Sequence, residues 1–511
     1  MSVTKTKPQF SGLRGIFWPI HSFEVKKFLP MALMMFCALY NYTVLRNSKD
    51  AIVLSEMGDA AAINICKLLI TLPLATLFFV LYSKMSNSLS RQKLFYTCTM
   101  IFVVFLSVWG FLLYPFRDYL MADMETLRSV GQVVPPLYWV VITFGKWFYA
   151  LYYAMAELWG SVVVSLLFWQ FANQITRVSE ATRYYAMFGL IGNFGGMLAG
   201  GVMQWTKPLS EAIVISGYNA GDVHTLMNLI PVILFAFVFM YLYRFTNTSV
   251  MSDPRLYDPA DVKPKKKKEK MSLGDSMKLI LSSKYLMLIL ILVVGYGVSV
   301  NLIEVSWKSR VSSFFPDKAA KSSFFGQFAV LNAFVTIIFM LIGQNIVRVW
   351  GWFVAAILTP IMIVTTGAIF FTTILAEDLL TWLYTLLGAS PLMLSVYVGL
   401  FFQVFSKSTK YSLFDATKEM SYIPLSDELK SKGKAAVDVV GGRLGKSGGA
   451  LIQSLMIATI AGSALNPYDV IAPYLFIFVI AIMVVWFYAI GKLSIEFKKA
   501  NEAKEKESAK A

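Results

Sequence analysis

The stretch Ala435-Ala-Val-Asp-Val-Val-Gly-Gly-Arg-Leu-Gly-Lys-Ser-Gly-Gly-Ala-Leu-Ile-Gln-Ser454 lies near the end of a chain of 511 residues. With the apolar run that follows, it is long enough to enter a lipid bilayer, yet it carries Lys446 in its interior. Gly441, Gly445 and Gly449 repeat at the small-xxx-small spacing that lets a second helix approach closely. The stretch therefore predicts a membrane helix that packs tightly against a neighbour.

One face of this predicted helix is polar. Helical spacing places on that face Asp438, Gly442, Lys446, Gly449 and Gln453. A cation inside a bilayer costs roughly 2.5–3.5 kcal/mol on insertion scales, so such a residue usually faces a protein cavity and has a function. The sequence therefore predicts that Lys446 lines a cavity.

Two other interpretations of Lys446 compete with a cavity. The side chain could extend to the lipid headgroups, since a polar segment lies about ten residues earlier. Alternatively, Gly445-Lys446-Ser447 could end a phosphate-binding loop of the kind found in nucleotide hydrolases. That loop needs a glycine where this chain has Val440, so we reject it.

Composition limits the class of protein. The chain is 57% hydrophobic and only 15% charged, whereas soluble domains carry about 25% charged residues. We therefore predict an all-α polytopic membrane protein. The formal net charge of +16 can face anionic lipid and does not require nucleic acid as a partner.

The same composition argues against an enzyme or a metalloprotein. Cys37, Cys66 and Cys98 are scattered and have neither disulfide nor metal-ligand spacing. No nucleophile–base pair and no sizeable soluble domain is visible in the sequence. We predict no metal and no cofactor.

Runs of about 20 apolar residues predict twelve membrane spans. They lie near residues 28–47, 62–83, 94–114, 137–172, 183–204, 226–245, 284–308, 323–346, 352–375, 380–406, 436–463 and 471–493. Lysine and arginine concentrate in alternate loops, so the positive-inside rule places both termini in the cytoplasm. Lys318 and Lys321, in the loop after the seventh span, are the exception.

The two halves of the chain repeat. Gly192, Gly196 and Gly200 match Gly441, Gly445 and Gly449 at an offset of 249 residues. Six spans, a basic linker and six more spans describe the major facilitator architecture, in which a substrate binds between the halves. The predicted units are a cytoplasmic tail at 1–27, a first half at 28–246, a basic cytoplasmic linker at 247–283, a second half at 284–494 and a cytoplasmic tail at 495–511.

Three further spans carry polar residues at helical spacing. These are Arg46 and Lys49 in span one, Lys146, Tyr149, Tyr153 and Glu157 in span four, and Asn301, Glu304 and Lys308 in span seven. The cations outnumber the acids, so we predict an anionic cargo, and both ammonium and guanidinium groups bind phosphate. Aromatic rings offer stacking faces to a base, so a nucleotide fits better than a simple sugar. The alternative is that some of these cations only anchor their helices at the membrane surface.

Five motifs together resemble one transporter family. They are Asn41-Tyr-Thr-Val-Leu-Arg-Asn-Ser-Lys-Asp50, Met155-Ala-Glu-Leu-Trp-Gly-Ser161, Phe168-Trp-Gln-Phe-Ala-Asn-Gln-Ile-Thr176, Asn301-Leu-Ile-Glu-Val-Ser-Trp-Lys308 and Leu444-Gly-Lys-Ser-Gly-Gly-Ala-Leu-Ile-Gln453. The chain resembles, over nearly all of residues 20–495, the ATP/ADP translocases of plastids and of obligate intracellular bacteria such as chlamydiae and rickettsiae.

The resemblance implies a function and a set of important charges. It implies that host ATP is imported in exchange for ADP, with or without phosphate. We also expect a monomer in the inner membrane of a bacterium. It also implies that Lys49, Glu157, Glu304 and Lys446 matter for transport, because each falls inside a matching motif. Some relatives instead import nucleotides together with protons, and the motifs alone do not separate these two activities.

A mechanistic hypothesis follows for the predicted residues. Lys49 and Lys446 would bind phosphates with help from Arg46, and Tyr149 or Tyr153 would stack on the base. The remaining candidates would pair charges or line the cavity, namely Glu157, Glu304, Lys308, Asn301 and Lys146. An empty carrier with unpaired buried charge would resist rearrangement, which would couple import to export.

Overall fold

The computed structural model describes residues 18–257, 273–426, 429 and 433–510. All regular secondary structure within these ranges is helical. Eleven of the described helices are long and apolar enough to cross a membrane. The predicted all-α polytopic class is therefore confirmed.

We number the long helices in chain order. They are α1 (Ser22–Glu56), α2 (Ala61–Ser88), α3 (Arg91–Leu120), α4 (Trp147–Ile175), α5 (Arg183–Ala212), α6 (Ala220–Val250), α7 (Lys284–Phe314), α8 (Lys318–Gly343), α9 (Asn345–Leu375), α10 (Pro391–Ser421), α11 (Lys434–Met456) and α12 (Pro467–Ala503). The helix that is not among the eleven is α11, which contains the glycine-rich stretch 435–454 and its polar residues. The twelfth crossing remains a prediction that rests on α11.

The glycines of α11 pack against α7. A Cβ on Gly445 would lie 3.0 Å from the Cα of Gly297, and one on Gly449 would lie 2.9 Å from Oδ1 of Asn301. Real Cβ atoms rarely tolerate such distances, so the two backbones meet at a spacing that larger residues would not allow. This confirms the tight packing that the glycine repeat predicts.

In the first half, Gly192 and its neighbour Gly195 on α5 pack against α1 in the same way. A Cβ on Gly195 would lie 2.4 Å from the carbonyl oxygen of Phe36, and one on Gly192 would lie 2.5 Å from Leu39. Thus α5 packs on α1 as α11 packs on α7. The parallel repeat of the sequence corresponds to a repeat of helix packing.

Long helices of the two halves meet on two sides of the molecule. On one side α5 crosses α8, where a Cβ on Gly200 would lie 2.4 Å from the carbonyl oxygen of Gly326. On the other side α2 meets α11 and α12, because Asn64 Nδ2 donates to Gln453 Oε1 at 3.4 Å and to Tyr468 Oη at 2.8 Å. The space between these contacts holds the charged residues of α1, α4, α7 and α10.

Two predicted spans differ from the observed helices. The long fourth span divides at Lys146, where a short helix Tyr138–Gly145 ends and α4 begins. The tenth span was predicted at 380–406, but α10 runs from Pro391 to Ser421. Gly388 has a left-handed φ of 59° and ends the preceding short helix. The polar end of α10 lies beyond the apolar run, which is why the sequence places its end too early.

Candidate functional site

Lys49 of α1 lies at the centre of a charged region. Its Nζ is 3.0 Å from Oδ1 of Asp50 and 3.3 Å from Oε2 of Glu157 on α4. The ammonium also sits 3.8 Å from the centre of the Tyr153 ring. Lys49 is buried, whereas the Glu157 side chain is 30% exposed. The structure thus brings together the two charges that the sequence predicts on spans one and four.

Glu304 of α7 is a second centre of charge. Its Oε1 is 3.2 Å from Nζ of Lys308, 3.2 Å from Nζ of Lys407 on α10, and 3.4 Å from a guanidinium nitrogen of Arg46 on α1. One carboxylate oxygen therefore faces three cations. The Arg46 contact joins the first half of the chain to the second.

Asp50 connects these two centres. Its Oδ1 accepts from Lys49 at 3.0 Å, and its Oδ2 lies 2.8 Å from Nζ of Lys308. Sequence reasoning missed Asp50, although it ends one of the quoted motifs, because it lies next to Lys49 and off the predicted face. It also missed Lys407, which follows directly after the predicted end of span ten.

We call this region the central cluster. Ion pairs link the cations Arg46, Lys49, Lys308 and Lys407 with the acids Asp50, Glu157 and Glu304. The cluster also includes Lys67, whose charge interacts electrostatically with Lys49, Asp50, Glu304 and Lys308. With all groups ionised, five cations face three carboxylates, so the described side chains carry a formal excess of two positive charges. Positive charge that is not neutralised within the protein attracts an anion to this place. The arrangement can therefore hold phosphate groups.

The predicted aromatic residues are covered in this conformation. Tyr153 is fully buried beneath the ammonium of Lys49. Tyr149 is 2% exposed, and its ring lies 6.0 Å from Nζ of Lys318, away from the central cluster. Neither ring is open to a base here, so stacking stays a prediction for another state of the molecule.

Two of the remaining predicted residues, Asn301 and Lys146, lie apart from the cluster. Asn301 accepts from Gln453 Nε2 at 3.1 Å, within the contact of α7 and α11. Lys146 lies just before α4, eleven residues from Glu157, which is about 16 Å along a helix. Lys446 belongs to α11, but its side chain falls outside the described part of the structure.

A second group of charges joins the halves where α1 ends and α8 begins, and we call it the Lys318 cluster. Nζ of Lys318 lies 2.6 Å from Oε1 of Glu56, 2.6 Å from Oδ1 of Asp222 and 3.0 Å from Oη of Tyr114. Arg117 donates to the other oxygen of Asp222 at 2.9 Å. These pairs explain why a lysine occurs in a loop that the positive-inside rule leaves without basic residues.

Neighbouring hydrogen bonds close the same end of the molecule. Ser309 of α7 donates to Oδ2 of Asp59 at 2.6 Å, and Ser312 donates to the carbonyl oxygen of Leu54 at 3.0 Å. Asn47 donates to the carbonyl oxygen of Phe325 at 3.2 Å. These hydrogen bonds between the halves lie between the central cluster and the ends of α1 and α7.

Two sets of helices related by a repeat, with a buried and positively charged region between them, define a membrane transporter that holds an anion. The chain belongs to the TLC ATP/ADP transporter family, whose model matches residues 3–497. The predicted family is therefore confirmed, and so is the prediction of a transporter and not an enzyme.

Curated relatives match over the whole chain. ADP,ATP carrier protein 1 of Rickettsia prowazekii (strain Madrid E) is 42% identical over 502 residues, covering 98% of each protein. ADP,ATP carrier protein 1 of Chlamydia muridarum (strain MoPn / Nigg) is 42% identical over 515 residues, covering 100% of this chain and 96% of the relative. The chloroplastic ADP,ATP carrier protein 1 of Arabidopsis thaliana is 39% identical over 494 residues, covering 95% of this chain and 77% of the relative.

Solved structures share the fold. A bacterial homologue of the iron transporter ferroportin, in an inward-facing state, has a TM-score of 0.54 at 13% identity and covers 93% of this chain and 100% of its own. A bacterial homologue of the human lysosomal transporter Spinster has a TM-score of 0.55 at 11% identity, and the match covers 94% of this chain and 99% of the homologue. The major-facilitator-like fold is therefore confirmed.

Proposed function

We propose that this protein exchanges ATP for ADP across a membrane by alternating access. The observation that carries the proposal is the excess of positive charge in the central cluster, which is built by both halves. An anion with several phosphate oxygens can contact cations from α1, α7 and α10 at once. The relatives described above are named ADP,ATP carrier proteins, which supports adenine nucleotides as the cargo.

The ion pairs of the central cluster support a physical reason for coupled exchange. In this conformation Glu157 holds Lys49, and Glu304 holds Arg46, Lys308 and Lys407. Phosphate oxygens would replace these carboxylates as partners and neutralise the remaining excess. Buried charges without partners are costly, so the loaded carrier rearranges more easily than the empty one. Each half of the cycle then requires a nucleotide.

Lys446 is assigned the role of a further phosphate ligand. The tight contact of α11 with α7 places its backbone beside the helix that carries Glu304 and Lys308. Changing Lys446 to Ala should abolish uptake and leave the protein folded, which gel filtration and nucleotide uptake would measure together. Wild-type uptake by Lys446→Ala would remove this residue from the site.

The membrane arrangement forms part of the proposal. We place both termini in the cytoplasm of a bacterium and the protein in its inner membrane as a monomer, with halves at 28–246 and 284–494. ATP carries about one more negative charge than ADP, so a one-for-one exchange responds to membrane potential unless inorganic phosphate moves with ADP. Loss of that response on adding phosphate would support its movement with ADP.

The decisive experiment is uptake of labelled ATP into vesicles that contain the purified protein. One set of vesicles is loaded with ADP and one is left empty, each with and without a proton gradient. Uptake into ADP-loaded vesicles alone is the expected result. Uptake into empty vesicles that rises with the proton gradient would instead support a proton-coupled importer, an alternative that the names of the relatives do not favour.

A further inference from the structure

Among the described residues, Lys67 is the member of the central cluster that has no carboxylate partner. It lies on α2 in a π-helical turn, Cys66–Thr71, and its side chain is half-buried. Its charge interacts electrostatically with Lys49 and Asp50 of the first half and with Glu304 and Lys308 of the second. Among the described residues, no acid lies within ion-pair distance of it. Lys67 therefore adds a positive charge that no described side chain neutralises by an ion pair.

The position of Lys67 matches that of the paired cations. It lies six residues after the start of α2, and Lys49 lies seven residues before the end of α1, so each is about 9–10 Å from its helix end. The two helices follow each other in the chain and share that end. Lys67 thus stands at about the depth of Lys49, where a cation without a partner is unfavourable in a membrane protein.

The backbone around Lys67 also departs from a regular helix. A π-helical turn contains one extra residue, changes the direction of the side chains that follow it, and is frequent at functional sites. This turn packs against α4, which carries Glu157, and against α11. The irregular turn therefore places Lys67 between the two halves.

We propose that Lys67 binds a phosphate group of the transported nucleotide and favours ATP over ADP. The inference rests on the proposed function and adds a specificity residue to it. Lys49, Lys308 and Lys407 must each exchange a carboxylate for a phosphate, so their net gain on binding is reduced. Lys67 gives up no such partner, and its attraction grows with each negative charge on the ligand.

The test compares binding of three ligands to the purified full-length protein. Dissociation constants for ATP, ADP and inorganic phosphate are measured by titration calorimetry for wild type, Lys67→Gln and Lys67→Arg. We expect Lys67→Gln to weaken ATP binding about tenfold, as for the loss of a charged hydrogen bond, and ADP binding less. Lys67→Arg should keep the wild-type ratio of ATP to ADP affinity, because it keeps the charge.

The matched control is Lys84→Gln. Lys84 lies on the same helix but is exposed and seventeen residues further on, so removing its charge should leave all three constants unchanged. An unchanged ratio of ATP to ADP affinity in Lys67→Gln overturns the proposal, as does a variant in which only binding of inorganic phosphate weakens. The ratio does not depend on how much protein folds.

Failure of the proposed function would be visible elsewhere. If vesicles that contain the wild-type protein do not exchange ATP for ADP, the proposed exchange is refuted, independently of the role of Lys67. Wild-type exchange together with an unchanged affinity ratio in Lys67→Gln would refute only the role of Lys67.

Discussion

The central cluster and the Lys318 cluster both join the halves, but they differ in charge balance. In the Lys318 cluster two cations, Lys318 and Arg117, meet two carboxylates, Glu56 and Asp222, with Lys318 Nζ 2.6 Å from each carboxylate. In the central cluster five cations face three carboxylates, and of the six ion pairs given above for its described side chains, four are 3.2 Å or longer. The first is neutral and tightly bonded, whereas the second is positive and looser.

This difference separates holding the protein together from holding a ligand. The Lys318 cluster satisfies its own charges, so it stabilises the closed end of the molecule without help. The central cluster leaves positive charge over, so its charges are satisfied only when an anion arrives. Substitutions should therefore affect stability in one cluster and transport in the other.

The largest effect is expected from Asp222→Asn. Asp222 is 1% exposed and holds both Lys318 and Arg117. Removing one partner of a buried ion pair costs about 3–5 kcal/mol, because the remaining charges lose their compensation. Thermal unfolding of the purified variant should occur at a clearly lower temperature, while the nucleotide dissociation constants of the folded fraction stay unchanged.

The control for this variant is Asp118→Asn, since Asp118 lies on the same helix as Arg117 but is exposed. Its unfolding should match wild type. If Asp222→Asn is as stable as wild type and binds nucleotide poorly, the Lys318 cluster binds the ligand and does not mainly stabilise the fold.

The next effect is expected from Lys49→Gln in the central cluster. Nucleotide exchange should fall about 100-fold, which corresponds to the loss of a charged contact of about 2.7 kcal/mol. Stability should change little, because Asp50 keeps Lys308 and the excess of positive charge becomes smaller. Initial rates of labelled ATP uptake into ADP-loaded vesicles, compared at equal protein, measure this.

A charge change at the surface provides the comparison for Lys49→Gln. Lys207 pairs with Glu211 on the exposed end of α5, so Lys207→Gln should transport at the wild-type rate. Normal exchange by Lys49→Gln would mean that the positive excess of the central cluster is not used by the nucleotide.

The sequence predicts part of the central cluster for a clear physical reason. Lys308 and Glu304 are four residues apart on one helix, so helical spacing alone brings them together. The partnership of Lys49 with Glu157 needs only that the polar faces of α1 and α4 meet within the first half. Both pairs occur in the structure.

The rest depends on contacts that helical spacing does not reveal. Asp50 bridges two helices because α1 is surrounded on several sides, and its neighbour Lys49 already occupies the predicted face. The Lys318 cluster joins Glu56, Asp222 and Lys318, which lie on three different helices. The sequence indicates this cluster only through Lys318, which is an exception to the positive-inside rule, and the exception does not identify the partners of Lys318.

A smaller and pH-dependent effect is expected at Asp59, between α1 and α2. Oδ1 accepts from the backbone N–H of Ala61 at 2.9 Å and Oδ2 accepts from Ser309 at 2.6 Å. Burial, opposed by these hydrogen bonds and aided by the charge of Asp469, raises the pKa of the Asp59 carboxyl to about 6. The folded protein thus holds this proton more tightly than the unfolded chain, whose carboxyl has a pKa of about 3.9.

Stability must then rise as pH falls through this range, because the folded state binds more protons than the unfolded state. Relative to Asp59→Asn, the wild-type protein should gain about 2 kcal/mol between about pH 7 and about pH 4.5. Chemical unfolding at each pH measures the difference in unfolding free energy between the two proteins. The contributions of the other acids are the same in both and cancel, including that of Asp469 with its partner Arg310. A constant difference would mean that the pKa of the Asp59 carboxyl is the same in the folded and the unfolded protein.

The smallest effects come from removing one hydroxyl in each cluster. Tyr114 donates to Asp222 at 2.8 Å and accepts from Lys318 at 3.0 Å, so Tyr114→Phe should lower the unfolding free energy by about 1 kcal/mol. The buried hydroxyl of Tyr153 has no hydrogen-bond partner in the described structure, and Tyr153→Phe keeps the ring beneath Lys49. This second change should leave both stability and uptake at wild-type values. Because both rings are fully buried, the pair of variants isolates the hydroxyls, and slower uptake by Tyr153→Phe alone would show that its hydroxyl meets the nucleotide in another state of the cycle.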